Sequence, residues 1–577
     1  MATFVHIGTL FGTGTSHFYR IAAMNEKRNL HIRAQVYMPV ILAMVLVLGF
    51  FLGVNLRRPG AGTNDQPFFS VGVERNDKLN HVVNYILDSY VDPVSREDLT
   101  ESTIRSLLQN LDPHSSYIPA AEFRRMNDPL MGSFEGIGIE FNMISDTLVV
   151  INPIAGGPSE EAGIMPGDRF IFVGDTLIAG VNKSTDEVVD MLMGEKGTTV
   201  EVQVKRTGLP ELLSFSLTRD KIPSFSLDIA YMADERTGYI RLNKFSATTY
   251  QEFIEGVDEL KEQGMEQMIL DLRGNGGGFL DAAIEVSEEL LRPGELIVYT
   301  DGRRRPRNYA RSERAGRFGT QPLIVLIDEW SASASEIIAG AVQDNDRGLV
   351  AGRRSFGKGL VQEQMQLGDG SAMRLTVARY YTPTGRSIQK PYDEGEEAYF
   401  SEFLQRYHNG ELISPDSIYF DDSLRFETPG GRTVYGGGGI MPDIFVPLQT
   451  DNDIGFFNRV FNRGHIYTFA FDYSDRHRAS LENYGSAERY TREFSISREI
   501  FHSFLEYAGG HGSHAPENLS PEAEKLIKTN LKAYIGRNIF GPKAFYPVLH
   551  KSDRTFLKAM DAFEGEEMQL LKESADL

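Results

Sequence analysis

Five consecutive aliphatic residues, Leu323-Ile324-Val325-Leu326-Ile327, constrain the fold of this chain most. A run this short, without polar alternation and bounded by turn-forming residues, suits a buried strand. A turn and a helix from Ala334 to about Gln343 follow it, with Ile337, Ile338, Ala341 and Val342 as apolar markers. The same rhythm appears upstream. Tyr239 to Phe245 reads as a strand, and Thr248 to Lys261 as a helix with Phe253, Ile254, Val257 and Leu260 on one side. Met268-Ile269-Leu270 is a second buried strand, running into Asp271-Leu-Arg-Gly-Asn-Gly-Gly-Gly278 and another helix. Strands alternating with helices imply an α/β core with helices packed on a sheet.

At 577 residues the chain is too long for one core, and its texture changes suggest where it divides. Residues 36–56 hold VYMPVILAMVLVLGFFLGV, which carries no charge from Val36 to Val54 and at about 1.5 Å per residue spans roughly 28 Å, near a bilayer's hydrocarbon thickness. The run ends in Asn55-Leu56-Arg57-Arg58 with no small-residue cleavage site, so a retained single transmembrane helix is expected, with residues 1–35 before it. Met24, followed by Asn-Glu-Lys-Arg, reads as a more natural start than Met1, which would make residues 1–23 an upstream start artefact. A Gly/Pro-rich linker fills 57–76 and helices fill 77–130, broken at Asp92-Pro93 and Asp112-Pro113. Residues 131–219 form a β-rich module with one short helix, Thr185 to Met193; 220–391 form the α/β core. Residues 392–449 read as an insertion and a return strand, and 450–577 as a mainly helical tail that carries no chemical motif. The net charge of -21 argues against a nucleic-acid partner. The absence of cysteine excludes disulfides, zinc-thiolate sites and a thiol nucleophile.

Two segments carry chemistry. In Trp330-Ser-Ala-Ser-Ala-Ser-Glu336, a serine sits where strand passes to helix and its successor's N–H faces outward. Ser333-x-x-Glu336 is equally a capping box, which would make Ser333 a helix cap. A serine nucleophile needs a base, yet between His81 and His408 the only histidine is His114. A buried lysine can serve if its pKa falls by about three units, equivalent to about 4 kcal/mol. Lys358 is flanked by Phe356, Gly357, Gly359, Leu360 and Val361, with no acid within four positions, and Arg353 and Arg354 would depress it further if close. Gly352-x-x-x-x-Gly357-Lys358 also approaches a phosphate-binding loop, but Gly359 stands where a hydroxyl should hold Mg²⁺ and the following residues are β-like.

SASASEIIAGAVQD followed by GRRSFGKGLVQ resembles the active-site core of the carboxyl-terminal processing peptidases, tail-specific serine endopeptidases with a Ser-Lys dyad. LDPHSSYI, DLRGNGGG, RYYTPTGRSIQ and GGGGIMPD extend the likeness in order, and FEGIGIEF with SEEAGIMPGDRFIFVGD resembles a PDZ domain. The resemblance implies Ser333 as nucleophile, Lys358 as general base and Gln362 as its orienting partner, with oxyanion donors at Ala334 and Gly277. On a strand, Lys358 and Gln362 would share a face. It implies that Gly136, Ile137, Gly138 and Ile139 receive a peptide C-terminus, the alternative being a tight hairpin without ligand. It implies no cofactor and no metal. The partners expected are proteins with apolar, unstructured C-termini, the inner membrane through 36–56, and a further copy of the chain or an adaptor; the catalytic part would lie in the periplasm, its PDZ domain gating the site. The rival readings are a catalytically dead PDZ scaffold, which loss of Ser333, Lys358 or Gln362 would have signalled, and a nucleotide-binding enzyme.

Overall fold

The computed structural model describes residues 78–449, 454–566, 568, 569 and 571, together with 44, 45, 47 and 48. The leader 1–35, most of the expected span Val36–Val54 and the linker 57–76 therefore lie outside the described residues, although Met44, Val45, Val47 and Leu48 are helical. Among the described residues no helix is long and apolar enough to cross a membrane. The chain divides into two compact units, Met1–Ser89 and Tyr90–Leu577. In the first, the described structure is mainly the helix Lys78–Ser89; the second holds every described strand.

The centre of the second unit is a six-stranded sheet in the order Leu227–Met232, Thr237–Leu242, Gln267–Asp271, Leu323–Ile327, Leu349–Gly352, Ile444–Phe445. The first pair is antiparallel and the others are parallel. Leu323–Ile327 is wholly buried, as its unbroken apolar run requires. One face is covered by Thr249–Glu262, Leu280–Leu290 and Ala334–Asp344, whose apolar sides join Val325, Ile327 and Leu270 in the largest core cluster. The opposite face, with Ile269, Ile324 and Leu326, is sealed by helices of the tail, Pro521–Phe540, Pro542–Leu549 and Arg554–Ala562, through Ala533, Phe545, Phe556 and the C-cap Phe563. The tail is thus half of the core's covering layer.

A second, antiparallel sheet went unread in the sequence. Ala372–Tyr381 pairs with Ser116–Ile118, Leu296–Asp301 and Leu360–Gln366, and Asn308–Arg311 adds at its edge. Ser116–Ile118 interrupts the expected helical stretch, because Asp112 caps a turn by accepting from the N–H groups of His114 and Ser115 (both 2.9 Å) and so redirects the chain. Within the supposed insertion, Glu396–His408 is a helix and Ile444–Phe445 returns as the last strand of the central sheet.

The β-rich module has a five-strand antiparallel ladder, Ile139–Met143, Leu148–Pro153, Arg169–Val173, Thr199–Lys205, Leu212–Thr218, with the helix Thr185–Leu192. Its entry and exit strands, Ser133–Gly136 and Asp220–Pro223, pair with each other as a stalk. The module also rests on the tail. Phe471 packs on Val149 and Ile151, and Asp475 accepts from Thr207 Oγ1 (2.8 Å) and pairs with Arg169 (3.4 Å).

Since the last helices cover one face of the central sheet, truncating a side chain there should destabilise the core itself. Phe563→Ala should cost about 3–5 kcal/mol, read as a lower urea midpoint for loss of the core's secondary structure. An unchanged midpoint would mean that the tail unfolds separately.

Candidate active site

Three loops meet at the carboxyl edge of the parallel strands, the edge where open α/β sheets hold ligands. Gln267–Asp271 leads into the glycine loop, Leu323–Ile327 leads to Ser333, and Leu349–Gly352 leads to Lys358. Together they line a cleft of about 380 Å³ that contains Gly276, Gly277, Gly278, Ser333, Lys358 and Gln362. The candidate residues are far apart in sequence and share one hollow because parallel strands deliver all three loops to the same edge.

Ser333 is the N-cap of Ala334–Asp344 at φ 55° and ψ -112°, a conformation that L residues seldom adopt. Such strain persists only where surrounding bonds enforce it, and here they are visible. The Ser333 N–H donates to Glu336 Oε2 (2.8 Å), and the Ser333 carbonyl accepts from Tyr380 Oη (3.2 Å) and from the Glu336 N–H (2.9 Å). The capping relation read from the sequence exists, and it is the Glu336 carboxylate that holds the Ser333 backbone.

That carboxylate does more than cap. Glu336 is fully buried and also accepts from Ser355 Oγ (2.5 Å), the Gly357 N–H (2.7 Å) and the Lys358 N–H (2.9 Å). Burial pushes its carboxyl up to about 7, against the pull of these hydrogen bonds. Tyr380 closes the other side: its buried hydroxyl carries one proton, directed mainly at the Lys358 carbonyl (2.6 Å) and shared with the more distant Ser333 carbonyl (3.2 Å). One carboxylate and one phenol therefore bind the backbones of both Ser333 and Lys358.

Lys358 precedes the strand Leu360–Gln366 rather than lying on it, and a register shift falls between Val361 and Gln362. The same-face rule for a strand does not apply, because Lys358 lies outside the strand and Gly357 at φ 90° turns the chain just before it. The two side chains meet regardless: Lys358 Nζ donates to Gln362 Oε1 (3.0 Å), and Gln362 Nε2 donates to the His114 carbonyl (2.5 Å). Burial lowers the Lys358 amine to about 8, with Arg374 as the charge acting in the same direction and Glu336 and Asp112 opposing. Arg353 and Arg354, the cations suggested by sequence, are instead paired with Glu329 (2.7 Å) and Glu411 (2.6 Å). His114 offers its carbonyl to this chain while its ring Nε2 meets Tyr399 Oη (2.8 Å); burial, then Lys358, lowers its pKa to about 4.

The glycine loop touches Ser333 directly. A Cβ on Gly277 would stand 2.8 Å from Ser333 Cβ, so no larger residue fits. Its N–H, however, donates to Asn275 Oδ1 (2.9 Å). Gly278 bridges to Phe245 as in a parallel ladder, through the Gly277 carbonyl and the Phe279 N–H, which leaves its own N–H on the other side. Ala334 follows Ser333 at the first helical position, where an N–H has no partner within the helix. Glu336 was legible in sequence only as a cap; His114 and Tyr380 stood within motifs of the resemblance but without a role, and Arg374 left no local signal. Among the described residues no group of three acidic or histidine side chains stands at metal-binding spacing.

Gly136 to Ile139 lie apart from this cleft. They line an apolar hollow of about 230 Å³ with Phe134, Phe141, Val189 and Leu192, and Arg125 stands at it. Ile139–Met143 is the edge strand of its sheet, so its outer ladder is available to an added strand.

Comparison with known proteins agrees with this layout. A model of peptidase family S41 matches residues 236–394, a PDZ-domain model matches 136–217, and a family of unknown function matches 456–541. The carboxy-terminal processing protease CtpA of Bacillus subtilis is 32% identical over 367 residues, covering 63% of this chain and 76% of its own length. The carboxy-terminal-processing protease of Bartonella bacilliformis is 36% identical over 317 residues, or 54% of this chain and 72% of the relative. The carboxyl-terminal-processing protease of a Synechocystis species is 34% identical over 371 residues, or 62% and 83%.

Replacing Glu336 by Gln puts an amide N–H against backbone N–H groups that need an acceptor. Glu336→Gln should cost about 1–3 kcal/mol, measured as a lower thermal midpoint at neutral pH; an unchanged midpoint would contradict the fourfold acceptor.

Proposed function

The chain belongs to peptidase family S41, among the carboxy-terminal processing proteases, and is a serine-type peptidase with a PDZ domain; we propose that Ser333 is its nucleophile and Lys358 its general base. The observation that carries this reading is the Lys358 amine, buried in the same cleft as Ser333 and bonded to Gln362. With its pKa near 8, a useful fraction of the amine is neutral at ordinary pH.

Lys358 Nζ takes the proton from Ser333 Oγ as the oxygen attacks a peptide carbonyl. The tetrahedral oxyanion forms against preset N–H donors: that of Ala334 and, since Asn275 engages Gly277, that of Gly278. The lysine returns the proton to the leaving amine, and water then hydrolyses the acyl-serine with the same lysine as base. Gln362, anchored on the His114 carbonyl, holds the amine in direction.

Substrates are proteins with apolar, unstructured C-termini, cut near or at that end. Their terminus adds beside Ile139–Met143, with its carboxylate toward the Gly136 to Ile139 segment and its apolar side chain in the hollow. The stalk of Ser133–Gly136 and Asp220–Pro223 and the rest on Phe471 and Asp475 are the contacts that PDZ gating would work through. Residues 36–56 tether the enzyme to the inner membrane, a reading supported by the uncharged run Val36–Val54; a catalytic part in the periplasm rests on the family resemblance alone.

Ser333→Ala and Lys358→Ala should each lower cleavage of an unfolded substrate with an apolar C-terminus by at least about a thousandfold, while both still bind the peptide. Cleavage surviving in either variant would refute the dyad. Val189→Lys, which puts a charge in the apolar hollow, should reduce kcat/KM by about tenfold or more, the effect of losing ~1.4 kcal/mol of contact; an unchanged value would exclude the hollow from substrate recognition.

A further inference from the structure

The sequence assigns no chemistry to the tail, yet one of its side chains reaches the loop that abuts Ser333. Asp553 grips Arg273 with both oxygens, Oδ1 to Nη1 at 3.1 Å and Oδ2 to Nη2 at 2.8 Å. The same guanidinium meets Asp271 through Nε (3.0 Å) and Nη2 (2.6 Å), and Asp271 is fully buried beside Arg241 (2.9 Å) and Tyr239 Oη (2.6 Å). Arg273 is also pinned along its backbone: its N–H donates to Asp271 Oδ1 (2.9 Å), and its carbonyl accepts from Arg241 (2.9 Å). The next residues are Gly274 to Gly278, of which Gly277 lies against Ser333.

We propose that Asp553 is a positioning residue for catalysis, through which the C-terminal helices hold the glycine loop against Ser333. The inference rests on the reading of Ser333 as nucleophile and of that loop as an oxyanion donor. A fork-to-fork carboxylate contact fixes the guanidinium plane as well as its place, so Arg273 cannot rotate without breaking two bonds. The alternative partner is close at hand. Arg273, Gly274, Asp328 and Asp553 line one cleft, and Asp328 accepts the Gly274 N–H (2.9 Å). With Asp553 uncharged, the guanidinium is drawn toward Asp328 and competes for the carboxylate that anchors the start of the loop. Displacement of the order of 1 Å at reacting groups costs up to about a hundredfold in rate.

Asp553→Asn tests this with little damage to the fold, because Asp553 caps the helix Arg554–Ala562 by accepting from the Thr555 and Phe556 N–H groups and asparagine caps equally well. The comparison is Met568→Ala, which loosens the same packing layer without touching Arg273. Asp553→Asn should lower kcat by about tenfold or more with KM within about twofold, and should speed amide hydrogen exchange in the peptide spanning residues 271–280. Met568→Ala should lower the unfolding midpoint yet leave kcat and that exchange unchanged. Exchange is read on a Ser333→Ala background as well, where turnover plays no part. If Ser333→Ala still cleaves, the nucleophile assignment falls while the exchange result still judges the link from Asp553 to the loop. Asp553→Asn with wild-type kcat and wild-type exchange would overturn the proposal, as would an equal loss of kcat in Met568→Ala.

Discussion

A single buried carboxylate, that of Glu336, joins the two halves of this site. Burying a charge is costly unless hydrogen bonds replace its water, and four donors converge on it, from Ser333, Ser355, Gly357 and Lys358. These donors come from two loops at the ends of neighbouring strands, so satisfying Glu336 fixes one loop relative to the other. It also explains how Ser333 tolerates its positive φ: the residue is held at its N–H by Glu336 and at its carbonyl by Tyr380. The conformational strain is thus spread over a network in which Glu336, Ser355 and Tyr380 are all buried.

The remainder of the architecture serves the cleft from outside. The antiparallel sheet brings Tyr380 beneath both backbones, Gln362 beside the amine, and Arg374 as the cation that acts with burial to depress Lys358. The segment from Asp112 to Ser115 supplies the carbonyl that anchors Gln362. The last helices seal the face of the central sheet opposite Ala334–Asp344, and the tail touches both the PDZ domain and Arg273. Core stability and PDZ placement therefore both run through the helical tail, and so does the proposed placement of the glycine loop.

What could be read from the sequence follows from how local each signal is. Leu323–Ile327 and the helix after it were legible because a buried strand and its helix leave continuous patterns. Lys358 stood out by its apolar neighbours, and Glu336 by its spacing from Ser333. The antiparallel sheet was missed because its strands pair across long gaps, as Ser116–Ile118 does with Ala372–Tyr381. Whether Arg353 and Arg354 act on Lys358 was not legible, since proximity in sequence says nothing about the acids that neutralise them in space. Asp553 lies 280 positions from its partner Arg273, and no periodicity or motif announces such a pair.

The proposed mechanism depends on Lys358 acting as a neutral amine, and the pH dependence of kcat/KM beside a direct NMR titration of the Lys358 side chain tests it most directly. A lysine whose pKa is lowered to about 8 is protonated and inactive below that pH and becomes a free base above it. The expected result is that kcat/KM rises with pH through about 8 to a plateau, and that the Lys358 resonance titrates at the same point. A limb near 6.5, the ordinary histidine value, or a Lys358 that titrates near 10.4, the ordinary lysine value, while the enzyme is fully active at neutral pH, would contradict it.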